Sequence, residues 1–146
     1  GECGSFSVGA QRLREMQKTF SAGYADDRMT AEEIRRVYER TGYVLDPHTA
    51  VASHVLDEYR SRTGDRTTAV IVATASPYKF AKDVLSAILG SAVTEGHDAF
   101  ICAQKLENET KLPIPKQIAE LKTLPVLHTA ACEKDAMEAA VLDALK

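Results

Sequence analysis

Residues 67–74 read Thr-Thr-Ala-Val-Ile-Val-Ala-Thr, an uncharged run of β-branched and small side chains. β-Branching restricts χ1 and favours extended backbone. Apolar residues at successive rather than alternate positions suit a strand covered on both faces, as in a parallel sheet. The run predicts a strand over 67–74, the strongest strand signal in the chain. Ala75-Ser76-Pro77-Tyr78-Lys79-Phe80 follows. Phe80, Val84, Leu85 and Ile88 then recur at helical spacing through Leu89, and Gly90 offers a stop. Strand, polar turn and helix in succession is the building unit of an α/β layer fold.

Thr30-Ala31-Glu32-Glu33 has the hydroxyl and, three residues on, the carboxylate of a capping box. Ile34, Val37, Tyr38 and Thr41 continue at helical spacing up to Gly42, which predicts a helix over 31–41. Asp46-Pro47 opens a second helix, with Asp46 as cap and Pro47 in the first turn. Its apolar face is Ala52, Val55, Leu56 and Tyr59, and it ends near Arg60. Shorter helices are expected over 98–106 and 115–121, a short strand over 126–129, and a last helix over 133–145 with Met137, Ala140, Val141 and Ala144 inward. The expected fold is α/β: helices in layers on a small, mostly parallel sheet, with 1–146 as one unit.

The chain's 146 residues support one hydrophobic core. Eighteen Lys and Arg against 21 Asp and Glu give a net charge of −3, which supplies no positive field for nucleic acid. The longest apolar run, 69–73, is far below the roughly 20 residues that span a bilayer, so neither nucleic acid nor membrane is expected as a partner. Cys3, Cys102 and Cys132 fit neither a disulfide framework nor a paired-thiolate metal site, and His48, His54, His97 and His128 lack ligand spacing. Reduced thiols, a cytoplasmic location and no metal are expected. The opening Gly1-Glu2-Cys3-Gly4 has neither initiator Met nor targeting signature, so the reading expects a piece of a larger protein.

Ligands of open α/β sheets collect beyond the carboxyl ends of strands, which directs attention to the turn after residue 74. Thr74 and Ser76 offer hydroxyls, Lys79 a mobile cation, and free amides there suit an acidic small molecule. The plain alternative is a strand end, a Ser76 cap, a Pro77 start and a solvated Lys79. Asp46, His48 and Thr49 put an acid, an imidazole and a hydroxyl at one helix start, suited to proton transfer, to ligand anchoring or simply to capping. Lys82 beside Asp83 looks like a cofactor-linking lysine, but its mid-helix position gives no reason for an activated amine, and it reads as solvated.

Two stretches taken together, Thr41-Gly42-Tyr43-Val44-Leu45-Asp46-Pro47-His48-Thr49-Ala50-Val51-Ala52 and Thr74-Ala75-Ser76-Pro77-Tyr78-Lys79-Phe80, resemble the C-terminal part of threonine synthase in its microbial and fungal form. Phe20-Ser21-Ala22-Gly23 with Asp26-Asp27 resembles the preceding segment of that family, and Cys132-Glu133-Lys134-Asp135 its tail. The resemblance implies a tryptophan-synthase-β-like architecture (fold type II). The implied activity converts O-phosphohomoserine and water to threonine and phosphate with pyridoxal 5′-phosphate. Thr74 then matches the hydroxyl residue beside the cofactor's pyridine nitrogen. Ser76, Lys79, Asp46, His48 and Thr49 match motif positions that bind substrate or support the site. The family's covalent lysine and Gly/Asn-rich phosphate loop lie upstream of the matched region and are not found in these residues. The resemblance therefore implies a portion that holds no catalytic residue of its own, is inactive alone, and has as its partner the N-terminal remainder of the same enzyme. The alternative is a noncatalytic α/β interaction domain derived from the same fold.

Overall fold

A computed structural model describes residues 4, 6–127 and 129–145. Its regular elements are helices: α1 (Ala10–Gln17), α2 (Asp27–Thr41), α3 (Pro47–Thr63), α4 (Ala81–Leu89), α5 (Ala99–Thr110), α6 (Lys116–Glu120) and α7 (Met137–Ala144), with 3-10 turns at Pro77–Phe80, Ser91–Thr94 and Lys134–Ala136. No strand occurs among the described residues, so the expectation of helices layered on a small parallel sheet is corrected. Helices pack on helices instead: α4 lies against α2 and α5, and α3 lies against α2.

Residues 67–74 explain the difference. They form no regular element and are unpaired: Val70 is 86% and Val72 73% exposed, and no backbone amide from 68 to 74 finds a partner among the described residues. Side-chain sterics set the local backbone shape, whereas a strand also needs a neighbour roughly 5 Å away to take its hydrogen bonds. These residues offer none. The expected short strand over 126–129 is likewise not formed at Val126 and Leu127, which are exposed, and His128 lies outside the described residues.

Helix starts follow local chemistry. α2 begins earlier than expected because Asp26, not Thr30, is its cap, its carboxylate accepting from the Met29 amide at 2.7 Å. Thr30 is already helical and donates its hydroxyl to the Asp26 carbonyl. Glu33, freed from capping, is buried against α3. α3 begins at Asp46 and Pro47 as expected and runs to Thr63, where Gly64 takes the left-handed conformation that suits a residue without Cβ. α5 is capped by Asp98.

The core is made of Ile34, Val44, Leu45, Ala50, Tyr78, Ala81, Val84, Leu85, Ala87, Cys102, Ala103 and Leu106. Each helix from α2 to α5 contributes, with the link 44–45 and the turn at Tyr78, whereas the run 67–74 does not. Arg35 of α2 ties two of these helices by donating Nε–H to the Ala87 carbonyl at the end of α4, at 2.7 Å. The expected inward face of the last helix is corrected: Met137, Ala140, Val141 and Ala144 are all exposed, because α7 contacts little beyond its own preceding turn. No described helix is long and apolar enough to cross a membrane.

Candidate functional site

Asp46 stands just before α3, and its side chain is only 1% exposed. One carboxylate oxygen accepts the His48 amide at 3.0 Å and the Thr49 amide at 3.4 Å. The same oxygen lies 3.2 Å from His48 Nδ1. The other accepts the Thr49 hydroxyl. Burial by itself would push this carboxyl's pKa up. The hydrogen bonds from Thr49 and His48 outweigh it and hold the group below the ordinary carboxylate range. Asp46 is therefore an ionised, fully engaged acceptor at neutral pH. Thr49 is buried beneath it, whereas His48 projects outward, its side chain 64% exposed.

The second motif reaches the same place. Ser76 starts the 3-10 turn by accepting the Tyr78 amide at 3.3 Å, and the Lys79 amide donates to the Ser76 carbonyl at 3.1 Å. Tyr78 is buried and donates its hydroxyl to the Leu112 carbonyl, with burial pushing its phenol pKa up. That anchor fixes the turn and leaves Lys79 outside and Phe80 alongside His48, ring centroids 5.1 Å apart and tilted by 59°. Thr74 is exposed, and its hydroxyl meets no partner among the described residues.

The fold thus joins the helix start Asp46-Pro47-His48-Thr49 to the turn 76–80 through one aromatic contact, although about 30 residues separate them in sequence. The amides expected to cradle an anion are largely taken: only those of Ala75 and Ser76 lack a partner among the described residues. Pro77 has no N–H, the Tyr78 and Lys79 amides are taken by Ser76, and Asp46 takes the first amides of α3. Beside those two amides, what remains for a ligand is side chains: the His48 imidazole, the Lys79 ammonium and the Thr74 hydroxyl. The sequence offers Phe80 as a helix-face residue and as the end of the second motif, with nothing in its spacing to point to His48.

A second polar cluster, not anticipated from the sequence, joins α2 to α3. Glu33 is 4% exposed and accepts from Arg36 at 2.6 and 2.7 Å and from the Ser53 hydroxyl at 2.6 Å. Arg36 also reaches Asp57 at 2.5 Å. Burial opposes the charge on Glu33, but the Arg36 and Ser53 hydrogen bonds, with the charge of Arg36, lower its pKa. A groove of about 800 Å³ runs beside this cluster, lined by Met29, Glu32, Arg36, His54 and Asp57 among others, and includes none of the motif residues. Among the described residues no cluster of His, Cys, Asp and Glu could hold a metal ion, and Cys102 and Cys132 are free thiols.

Comparison with known proteins bears on what this geometry serves. Residues 49–141 match the family model described as "Threonine synthase, C-terminal". The chain belongs to the threonine synthase C-terminal family. The threonine synthase of Pseudomonas aeruginosa is 37% identical over 127 residues, covering 86% of this chain and 26% of that protein. The threonine synthase of Saccharomyces cerevisiae is 32% identical over 92 residues, 60% of this chain and 18% of that protein. Human threonine synthase-like 1 is 28% identical over 130 residues, 88% of this chain and 15% of that protein. The chain thus spans about a quarter or less of the length of these threonine synthase relatives.

Proposed function

We propose that residues 1–146 work as one C-terminal domain of a threonine synthase, a pyridoxal phosphate-dependent lyase that converts O-phosphohomoserine and water to threonine and phosphate. Family membership supports the reading. The observation that carries it is the meeting of the two motifs, in which the His48 ring packs against Phe80, the residue that follows the exposed Lys79.

The donor set suits the cofactor. A neutral hydroxyl such as that of Thr74 can donate to an unprotonated pyridine nitrogen, where a carboxylate would instead favour the protonated form. Thr74 is exposed and engaged by nothing among the described residues, so its donor is available. When bound, pyridoxal phosphate supplies an electron sink. Thr74 would hold its ring nitrogen. Ser76 would shape the turn through its cap, and Lys79 would hold a phosphate as a point charge. Asp46 and Thr49 would brace the helix start from which His48 projects.

No described lysine is buried, and an amine in water gains none of the desolvation that activates a cofactor-linking lysine. In this reading that lysine and the phosphate loop come from the remainder of the same enzyme. The exposed run 67–74 suits the same arrangement, its free amides and apolar side chains being ready for polypeptide from outside these residues. A cytoplasmic location goes with the free thiols of Cys102 and Cys132.

The test is phosphate release from O-phosphohomoserine by the protein expressed from its full reading frame with pyridoxal phosphate added. Turnover is expected, and Thr74→Val is expected to weaken cofactor affinity by roughly tenfold, the worth of one hydrogen bond to a buried acceptor. Absence of phosphate release by the unaltered protein overturns the reading, and unchanged cofactor affinity in Thr74→Val overturns the role of Thr74.

A further inference from the structure

We infer that residues 68–74 are a self-association segment, through which two copies of this chain pair as antiparallel strands about a two-fold axis at Ile71. Nothing in this pairing depends on the function proposed above.

The segment reads Thr68-Ala69-Val70-Ile71-Val72-Ala73-Thr74, the same in both directions. An antiparallel pair centred on Ile71 therefore sets Thr68 opposite Thr74, Ala69 opposite Ala73, Val70 opposite Val72 and Ile71 opposite itself. A two-fold interface uses one patch on both copies and must be complementary to itself; here each residue faces its own type. Pairing with any other polypeptide would call for no such symmetry. Alternate side chains of a strand share a face, so Val70 and Val72 of both copies would form one four-valine patch. On the other face the two Ile71 side chains would lie between pairs of alanines. Cross-strand contacts between β-branched residues and between threonines are stabilising.

The structure leaves the segment open to this. Val70 and Val72 are strongly exposed. Among the described residues no backbone amide or carbonyl from 68 to 74 is engaged, so pairing breaks no hydrogen bond. The free stretch begins where the palindrome begins: Thr67, just before it, is tied to its own chain, its amide donating to Asp65 at 2.8 Å and its carbonyl accepting from Arg60 at 3.0 Å. Beyond the other end, Ser76 is taken by the 3-10 turn. Charge is compatible as well. The segment carries none, and its register sets Asp65 opposite Pro77 and Arg66 opposite Ser76, so no like charges meet, while Lys79 of one copy comes to the Asp65 end of the other. Seven residues a side are fewer than the roughly 20–30 of a standard interface, and a two-stranded pair is marginal in water. The dimer is therefore expected to be weak, with Kd above about 1 μM.

Three measurements on the chain test this. Sedimentation equilibrium from about 10 μM to about 1 mM is expected to show monomer passing to dimer and no further, with Val70→Glu, at a position open to solvent, monomeric throughout at unchanged helical content. Over the same range every second amide from 68 to 74 is expected to gain protection from exchange, because only one edge of each strand is paired. With Cys3→Ser and Cys132→Ser in place, Ile71→Cys is expected to form a disulfide between copies on oxidation, since residues directly opposite stand about 4.5–5.5 Å apart at Cα. Thr68→Cys is not, because its counterpart lies roughly 20 Å along the pair. A monomer at every concentration, association undisturbed by Val70→Glu, growth beyond two copies, or cross-linking at Thr68 as ready as at Ile71 each overturns the inference. In the protein from the full reading frame, the remainder of the enzyme and a second copy compete for the same segment. Cross-linking at Ile71 there keeps the inference and overturns cover by the remainder; phosphate release from O-phosphohomoserine is read separately from both.

Discussion

Glu33 shows how one residue can be read correctly for type and wrongly for role. Three residues after Thr30 it completes a capping signature, yet Asp26 holds the cap, and Glu33 turns inward to Arg36 and Ser53. Capping motifs describe neighbours along the chain, whereas a buried carboxylate's partners are chosen by packing. Ser53 stands 20 residues away. Removing one partner of a buried ion pair costs about 3–5 kcal/mol, and Arg36 is 37% exposed, so solvent reduces the figure. Glu33→Gln is expected to cost about 2 kcal/mol by urea denaturation. The pKa values of Glu33 and Asp46 are both lowered in the folded chain. The stability they contribute is thus present above the unfolded carboxyl range near pH 4 and lost as pH falls through the lower folded values. Midpoints measured between about pH 6 and pH 3 should fall with acid, less steeply in Glu33→Gln; parallel curves would exclude Glu33 as a source of the acid sensitivity.

Among the elements, those whose ends are written locally were legible. α3 opens at Asp46 and Pro47 as expected, though it runs past the expected end near Arg60 to Thr63, and the face of α4 with Val84 and Leu85 is buried as its spacing requires. The run 67–74 was misread as a strand, since β-branching only biases backbone angles while pairing depends on what lies alongside. The same holds for α7, whose apolar side chains keep their pattern without a surface to meet. Of the candidate site, the residue types at Asp46, His48, Ser76 and Lys79 were visible in order along the chain; the Phe80 contact that unites them was not. In dilute solution, backbone amides of residues 68–74 are expected to exchange with solvent within the dead time of a hydrogen-exchange experiment, while those of α4 are protected. Protection of 68–74 comparable to α4 in the chain alone would mean that the run has found a partner within it.

At the scale of the whole molecule, the core is built by the helices from α2 to α5, and the cofactor-facing candidates sit on the surface of that body rather than in an enclosed site. Thr74, Lys79 and His48 are all exposed. On the function proposed above, the chain by itself would supply one wall of that site. Incubated with pyridoxal phosphate and then reduced with borohydride, it is expected to give at most a scattered, substoichiometric label over its surface lysines. A stoichiometric adduct at one lysine, located by mass spectrometry, would show that these residues contain the covalent site after all.

Val70 and Val72 have a further consequence inside a cell. Quality-control machinery distinguishes nascent from finished proteins largely by exposed, uncharged, extended stretches, the same stretches that nucleate aggregation. In most proteins such a stretch is visible only briefly, during synthesis. Here it is displayed on the folded surface, so a chaperone or protease that reads it meets the same signal before and after folding. The lifetime of this chain should then be governed less by how firmly its helical core resists unfolding than by how promptly residues 67–74 are covered.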